Sequence, residues 1–181
     1  MYISITAQHQ RGIGMVEVLV ALLLLAVGVM GFSALQSYAV YSTTESLNRT
    51  QALTVMRGLS EQIRVNGTEP AVLAAYQAAM GVGEPVAPTE LCRSGSGGSA
   101  AGCTAAQLAA IDVYEARAAA WDSGIQLGMA VCPGTVGAGQ RQCLLAAWDK
   151  TTPRVAADED ACMTLEGTYR RQATCIVMEI Y

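Results

Sequence analysis

Most of the chemistry this sequence could do lies in six cysteines: Cys92, Cys103, Cys132, Cys143, Cys162 and Cys175. All fall in the C-terminal half, as three close couples with ten, ten and twelve residues between their members. No C-x-x-C motif occurs, and zinc ligands usually lie roughly two to four residues apart, so neither a metal centre nor a dithiol oxidoreductase is expected. An even set confined to one part of the chain fits oxidised pairs in an exported domain. Six cysteines allow about fifteen connectivities, and the sequence does not choose among them. Nearest-neighbour pairing is the expectation, with Cys132–Cys143 joining two adjacent strands and the other two pairs each closing a loop. Each such cross-link is worth about 3 kcal/mol in the chain-entropy account.

The other reactive groups offer less. His9 is the single histidine and lies in the short stretch before the apolar run, and no Ser/His/Asp or Cys/His nucleophile set is expected. Asp158, Glu159 and Asp160 are consecutive and cannot all face one ion, which reads as a solvated turn. The glycine-rich stretch 94–102 lacks the lysine of a phosphate-binding loop and reads as a connector. With a formal charge of −4 and only Arg170–Arg171 as a basic pair, no nucleic-acid partner is expected. No catalytic residue, cofactor or small-molecule substrate is expected either.

Glu17 is the one charge in residues 13–35. That apolar stretch would span about 35 Å as a helix, enough to cross a hydrocarbon core of about 30 Å. A carboxylate at the centre of such a span costs about 2.5–3.5 kcal/mol. Its place near the helix start softens the cost, because that end carries partial positive charge. A full role for Glu17 needs a cationic partner. Ahead of the span lies a short polar leader, MYISITAQHQRG, whose Arg11 is the only basic residue before Arg49. The leader is therefore expected on the cytoplasmic side and the bulk of the chain outside. An ordinary secretory signal would place a small-residue cleavage site after the apolar run. Here helical character simply continues.

In residues 36–66, Ala52, Val55/Met56, Leu59 and Ile63 recur at spacings of three and four, the pattern of an amphipathic helix. Asn66–Gly67 is a helix stop. One helix over residues 13–66 is predicted, about 80 Å long. Residues 70–80 form a short alanine-rich helix with Pro70 in its first turn, and 81–103 a loop. Thr104 and Gln107 have the spacing of a capping box, opening a helix to about Trp121 with Leu108, Ile111, Val113 and Ala118 as its apolar positions. Strand-like stretches lie at about 125–132, 141–148 and 173–181. The expected architecture is α+β, a long N-terminal helix packed on a small disulfide-stapled antiparallel sheet. The expected division is a leader (1–12), a membrane-spanning half-helix (13–35), an amphipathic half-helix (36–66) and a C-terminal head (67–181).

The run Arg11-Gly12-Ile13-Gly14-Met15-Val16-Glu17 resembles the processing signal of type IV pilins: a basic leader, a glycine at the cut and a glutamate as fifth mature residue. The resemblance implies cleavage between Gly12 and Ile13 by a prepilin peptidase, which methylates the new amine. Glu17 would then pair with the N-terminal amine of a neighbouring subunit. A cut after Gly14 would leave Glu17 two residues too early. Beyond the helix, the order Cys103 to Asp112, then Cys132-Pro133-Gly134, then Ala147-Trp148-Asp149 is similar to the PilV minor-pilin family. That likeness implies a structural subunit without enzymatic activity, whose partners are the peptidase, other minor pilins, the major pilin and the inner membrane. The head would be periplasmic and later part of a surface pilus. Two other readings stay open: a minor pseudopilin of a type II secretion system, and a DNA-uptake or adhesive module, which should expose a basic or aromatic-rich face.

Overall fold

The computed structural model describes residues 14–67, 69–89, 102–135, 137 and 140–180. The element order is α1 (Met15–Asn66), α2 (Pro70–Ala79), α3 (Ala105–Trp121), β1 (Gln126–Val131), β2 (Gln142–Ala147), β3 (Thr152–Val155), β4 (Ala161–Met163) and β5 (Cys175–Ile180). By internal contacts the chain divides into two units, Met1–Thr44 and Glu45–Tyr181.

The described part of the first unit is Gly14 and the opening thirty residues of α1. It is exposed throughout, and from Val18 to Phe32 its side chains are apolar around the whole circumference, with Met30 exposed at 72% and Leu25 at 63%. A helix that is apolar all round requires an apolar surrounding.

In the second unit, the remainder of α1 turns one stripe inward: Ala52, Met56, Leu59, Ser60 and Ile63 are buried. The helix ends where Gly67 takes a φ of 121° and its N–H caps the carbonyl of Ile63 at 3.0 Å, a conformation that favours glycine. α3 opens with the full capping box, Thr104 and Gln107 each bonding the other's backbone N–H. Its buried face is Ala109, Val113, Ala116 and Ala120. Of the four positions expected to be apolar contacts only Val113 is buried; Leu108, Ile111 and Ala118 are half-exposed. Alanines face the core here because a small side chain lets a helix approach its neighbours closely.

Three strands form an antiparallel sheet in the order β1-β2-β5. β2 is central and every one of its six residues is buried. Alternation explains how. Leu144 and Ala146 join the core shared with α1, α2 and α3, whereas Cys143, Leu145 and Ala147 join a second core on the opposite face. That second face is covered by a feature the sequence reading lacked, a parallel pair β3–β4. It escaped notice because the strands are short, four and three residues, and β3 contains Pro153, which is disfavoured within strands. Gly128 makes the overlap possible. A Cβ at that position would lie 2.0 Å from the carbonyl oxygen of Pro153, so only glycine lets β3 pass over β1 so closely.

Candidate functional site

Gly12 and Ile13, the expected processing pair, lie outside the described residues. Glu17 stands in the first turn of α1, exposed, with its N–H on the carbonyl of Gly14 at 2.9 Å. Beyond it, α1 is the one described helix long and apolar enough to cross a membrane, with a mean hydropathy of 2.7 over its best window and none of that window buried. Each large apolar side chain removed from water gains about 1.5–3 kcal/mol, so a row of them is a surface built to be covered. The polar residues on this helix are arranged to tolerate such cover. Ser33, Ser37, Thr43 and Thr44 each donate their hydroxyl to the carbonyl four residues earlier, at 2.9, 3.1, 2.8 and 3.0 Å. A hydroxyl satisfied within its own helix can enter an apolar medium without an orphaned donor.

In the second unit, α1 is tied to the sheet by Glu45, the only acid between Glu17 and Glu61. One carboxylate oxygen accepts from Arg49 Nε at 2.8 Å and the other from Trp148 Nε1 at 2.8 Å. Trp148 is buried just past the end of β2. Its N–H reaches the carbonyl of Thr174 at 3.0 Å, and its own carbonyl accepts from the Thr174 hydroxyl at 2.6 Å. The indole is thus held from both sides of its backbone while it grips the helix.

The disulfides pin the second core. Cys132 is bonded to Cys143 with Cα atoms 5.1 Å apart, bridging β1 and β2 at the loop end of their hairpin. Cys162 of β4 is bonded to Cys175 of β5 with Cα atoms 5.9 Å apart. This second bond joins the small parallel pair to the main sheet, a role beyond closing a loop. Cys103 is also disulfide-bonded. Its expected partner Cys92 lies outside the described residues. Cys132, Cys143 and Glu179 are near enough to share an ion. The two sulfurs are bonded to each other, however, and Glu179 pairs with Arg141 at 2.8 Å, so this group offers no thiolate ligands. The acidic turn is an ion-pair cluster, in which Arg154 meets Asp158 at 3.1 Å and Asp160 at 2.9 Å.

A polar joint links the three helices. The hydroxyl of buried Tyr76 donates to Asp112 Oδ2 at 2.5 Å and accepts from Asn66 Nδ2 at 3.1 Å, while Asn66 also donates to the carbonyl of Ala105 at 2.9 Å. Burial, reinforced by the bond to Asp112, pushes the Tyr76 phenol well above its ordinary value. Burial also raises the Asp112 carboxyl, although the Tyr76 bond opposes that shift. Sequence reasoning missed both this joint and the Glu45–Trp148 bond. The one available signal was an isolated acid where α1 leaves its apolar run.

A family model described as type IV pilin Tt1218 (Tt1218-like) matches residues 34–114. The match begins in α1, crosses α2 and ends within α3. No curated protein and no solved structure matches the chain. The long apolar N-terminal helix, packed through its second half on a small antiparallel sheet with two described disulfides, is a type IV pilin-like fold.

Proposed function

We propose that the chain is a minor pilin of the PilV type, a structural subunit that helps prime or cap a growing type IV pilus. The observation that carries this reading is α1 itself. Its apolar run is exposed on every side, the hydroxyls of Ser33, Ser37, Thr43 and Thr44 are satisfied within the helix, and its later half belongs to a disulfide-stapled head. The match to the type IV pilin family model over residues 34–114 supports the pilin part of this reading. On this proposal a prepilin peptidase cuts between Gly12 and Ile13, and the helix waits in the inner membrane with its head in the periplasm. It then leaves the bilayer by packing against other minor pilins and the major pilin, exchanging lipid for apolar protein surface. Glu17 becomes the fifth mature residue and pairs with the freed amine of a neighbour. A close opposite charge in a low dielectric favours both ionised forms and sets the axial register between helices.

Glu17→Gln tests the assignment, because it keeps the side-chain size and removes the charge. In cells lacking the native gene, the variant is expected to mature to Ile13 with an N-methyl group and to insert normally. It should nevertheless co-purify poorly with minor pilins and reduce sheared surface pili. Normal piliation would refute the assembly role of Glu17, and a mature terminus at Met15 would refute the cut. Intact pili with lost protein secretion in a deletion strain would instead favour the pseudopilin reading.

A further inference from the structure

Among the described residues the outer edge of β1 is unpaired, and its first part, Gln126 to Met129, lines a cleft. The bond from Cys132 N–H to the carbonyl of Arg141 at 2.9 Å sets the alternation of the β1–β2 ladder, so the backbone groups of Gly128 and Ala130 face β2. Those of Leu127, Met129 and Val131 therefore face away. At the start of this edge, Ile125 N–H is taken by the carbonyl of Ala120 at 3.0 Å. From Leu127 onward, no described residue supplies a partner. β3 does not close the edge, because it crosses the face of β1 at Gly128 and pairs with β4.

Leu127 and Met129 line a cleft of about 290 Å³ together with Arg117 and Trp121 of α3 and Pro153 of β3. Arg117 and Trp121 lie one helical turn apart and so share a face of α3. Trp121 is 38% exposed, and Val82, on the same rim, is 99% exposed. The Arg117 guanidinium is held by the carbonyl of Gly83 at 2.6 Å and is half-buried, yet no described carboxylate pairs with it. Burial lowers its pKa. Arg154, by contrast, is already neutralised by Asp158 and Asp160.

We infer that this cleft binds an extended, acidic peptide segment of a partner protein, which adds as a strand to the outer edge of β1 and places a carboxylate on Arg117. Leu127 to Val131 offers about 14 Å of edge at the rise of a strand, room for four or five added residues. Main-chain bonds to Leu127, Met129 and Val131 would supply affinity irrespective of sequence. Trp121 and Val82 would cover apolar side chains, and the guanidinium would select an acid at one position.

The test uses the full-length protein in detergent micelles and a capped peptide, Thr-Val-Glu-Val-Thr, with a Thr-Val-Gln-Val-Thr control. The acidic peptide is expected to slow amide exchange at Leu127, Met129 and Val131. Arg117→Gln should weaken it by about tenfold while leaving the control peptide unchanged. Met129→Pro removes one outward N–H at an edge where proline is tolerated and should abolish binding of both. Because Met129 also packs on the core, unchanged near-ultraviolet circular dichroism of that variant is the check on folding. Protection elsewhere, or binding indifferent to Arg117, would overturn the proposal. Self-association that protects the same amides without peptide would overturn an acidic segment as the occupant.

Discussion

Trp148 Nε1 and Glu45 Oε2 lie 2.8 Å apart although the two residues are 103 positions apart in the chain. The bond joins the first turn of the head's share of α1 to the end of the central strand. Trp148→Phe keeps the ring in the core and deletes only the donor, leaving one carboxylate oxygen of Glu45 without its partner. A loss of about 1–2 kcal/mol is expected, read by urea unfolding of the oxidised protein with an unchanged m-value. Glu45→Gln should cost less, since the amide oxygen can still accept from the indole.

Gly128→Ala probes the crossing of β3 over β1. The added methyl would sit 2.0 Å from the Pro153 carbonyl oxygen, and that obstacle is backbone. The strands must separate, and the substitution is expected to destabilise by about 1–3 kcal/mol. Gly124→Ala, at a φ of 71° with no neighbouring atom in the way, separates backbone strain from collision. A melting temperature unchanged by Gly128→Ala would show that β3 does not need the close approach.

The two described disulfides should fail differently. Their loops are similar in length, with separations of 11 and 13 residues, so the chain-entropy account assigns each about 3 kcal/mol. Cys162–Cys175, however, is the covalent link between β4 and the main sheet. Replacing that pair with alanines should expose the backbone around 156–160 to limited proteolysis while the hairpin β1–β2 stays protected. Replacing Cys132 and Cys143 should open the hairpin end instead. Identical cleavage patterns from the two double variants would contradict this division.

The Tyr76–Asp112 joint predicts a pH dependence with a definite sign. Both folded pKa values are raised, chiefly by burial, so the native state holds each proton more tightly than the unfolded chain does. Such a contribution is fully present below the unfolded pKa and is lost as pH rises through the folded one. Asp112 therefore acts from the ordinary aspartate range upward, and Tyr76 above the ordinary tyrosine value. Asp112→Asn, which still accepts from the phenol, should flatten the lower window alone. Spectrophotometric titration should find one tyrosine that ionises only as the protein unfolds.

What the sequence determined by itself were the features set by periodicity and local chemistry. The single helix ending at Asn66–Gly67, its inward stripe of Ala52, Met56, Leu59 and Ile63, the Thr104–Gln107 capping box and three main strands all follow from spacings of a few residues. The apolar run around Glu17 was equally legible, because no part of it depends on a distant partner. Tertiary structure decided the rest. It chose alanines over Leu108 and Ile111 for the buried face of α3, since the choice turns on how closely α3 approaches its neighbours. It laid β3 and β4 over the second face of the sheet, where three- and four-residue strands acquire stability only by packing. It brought Glu45 to Trp148 and Tyr76 to Asp112, and among the described residues it left the edge of β1 open beside Arg117. Such pairings depend on where the chain returns in space, and no spacing along the sequence encodes that return.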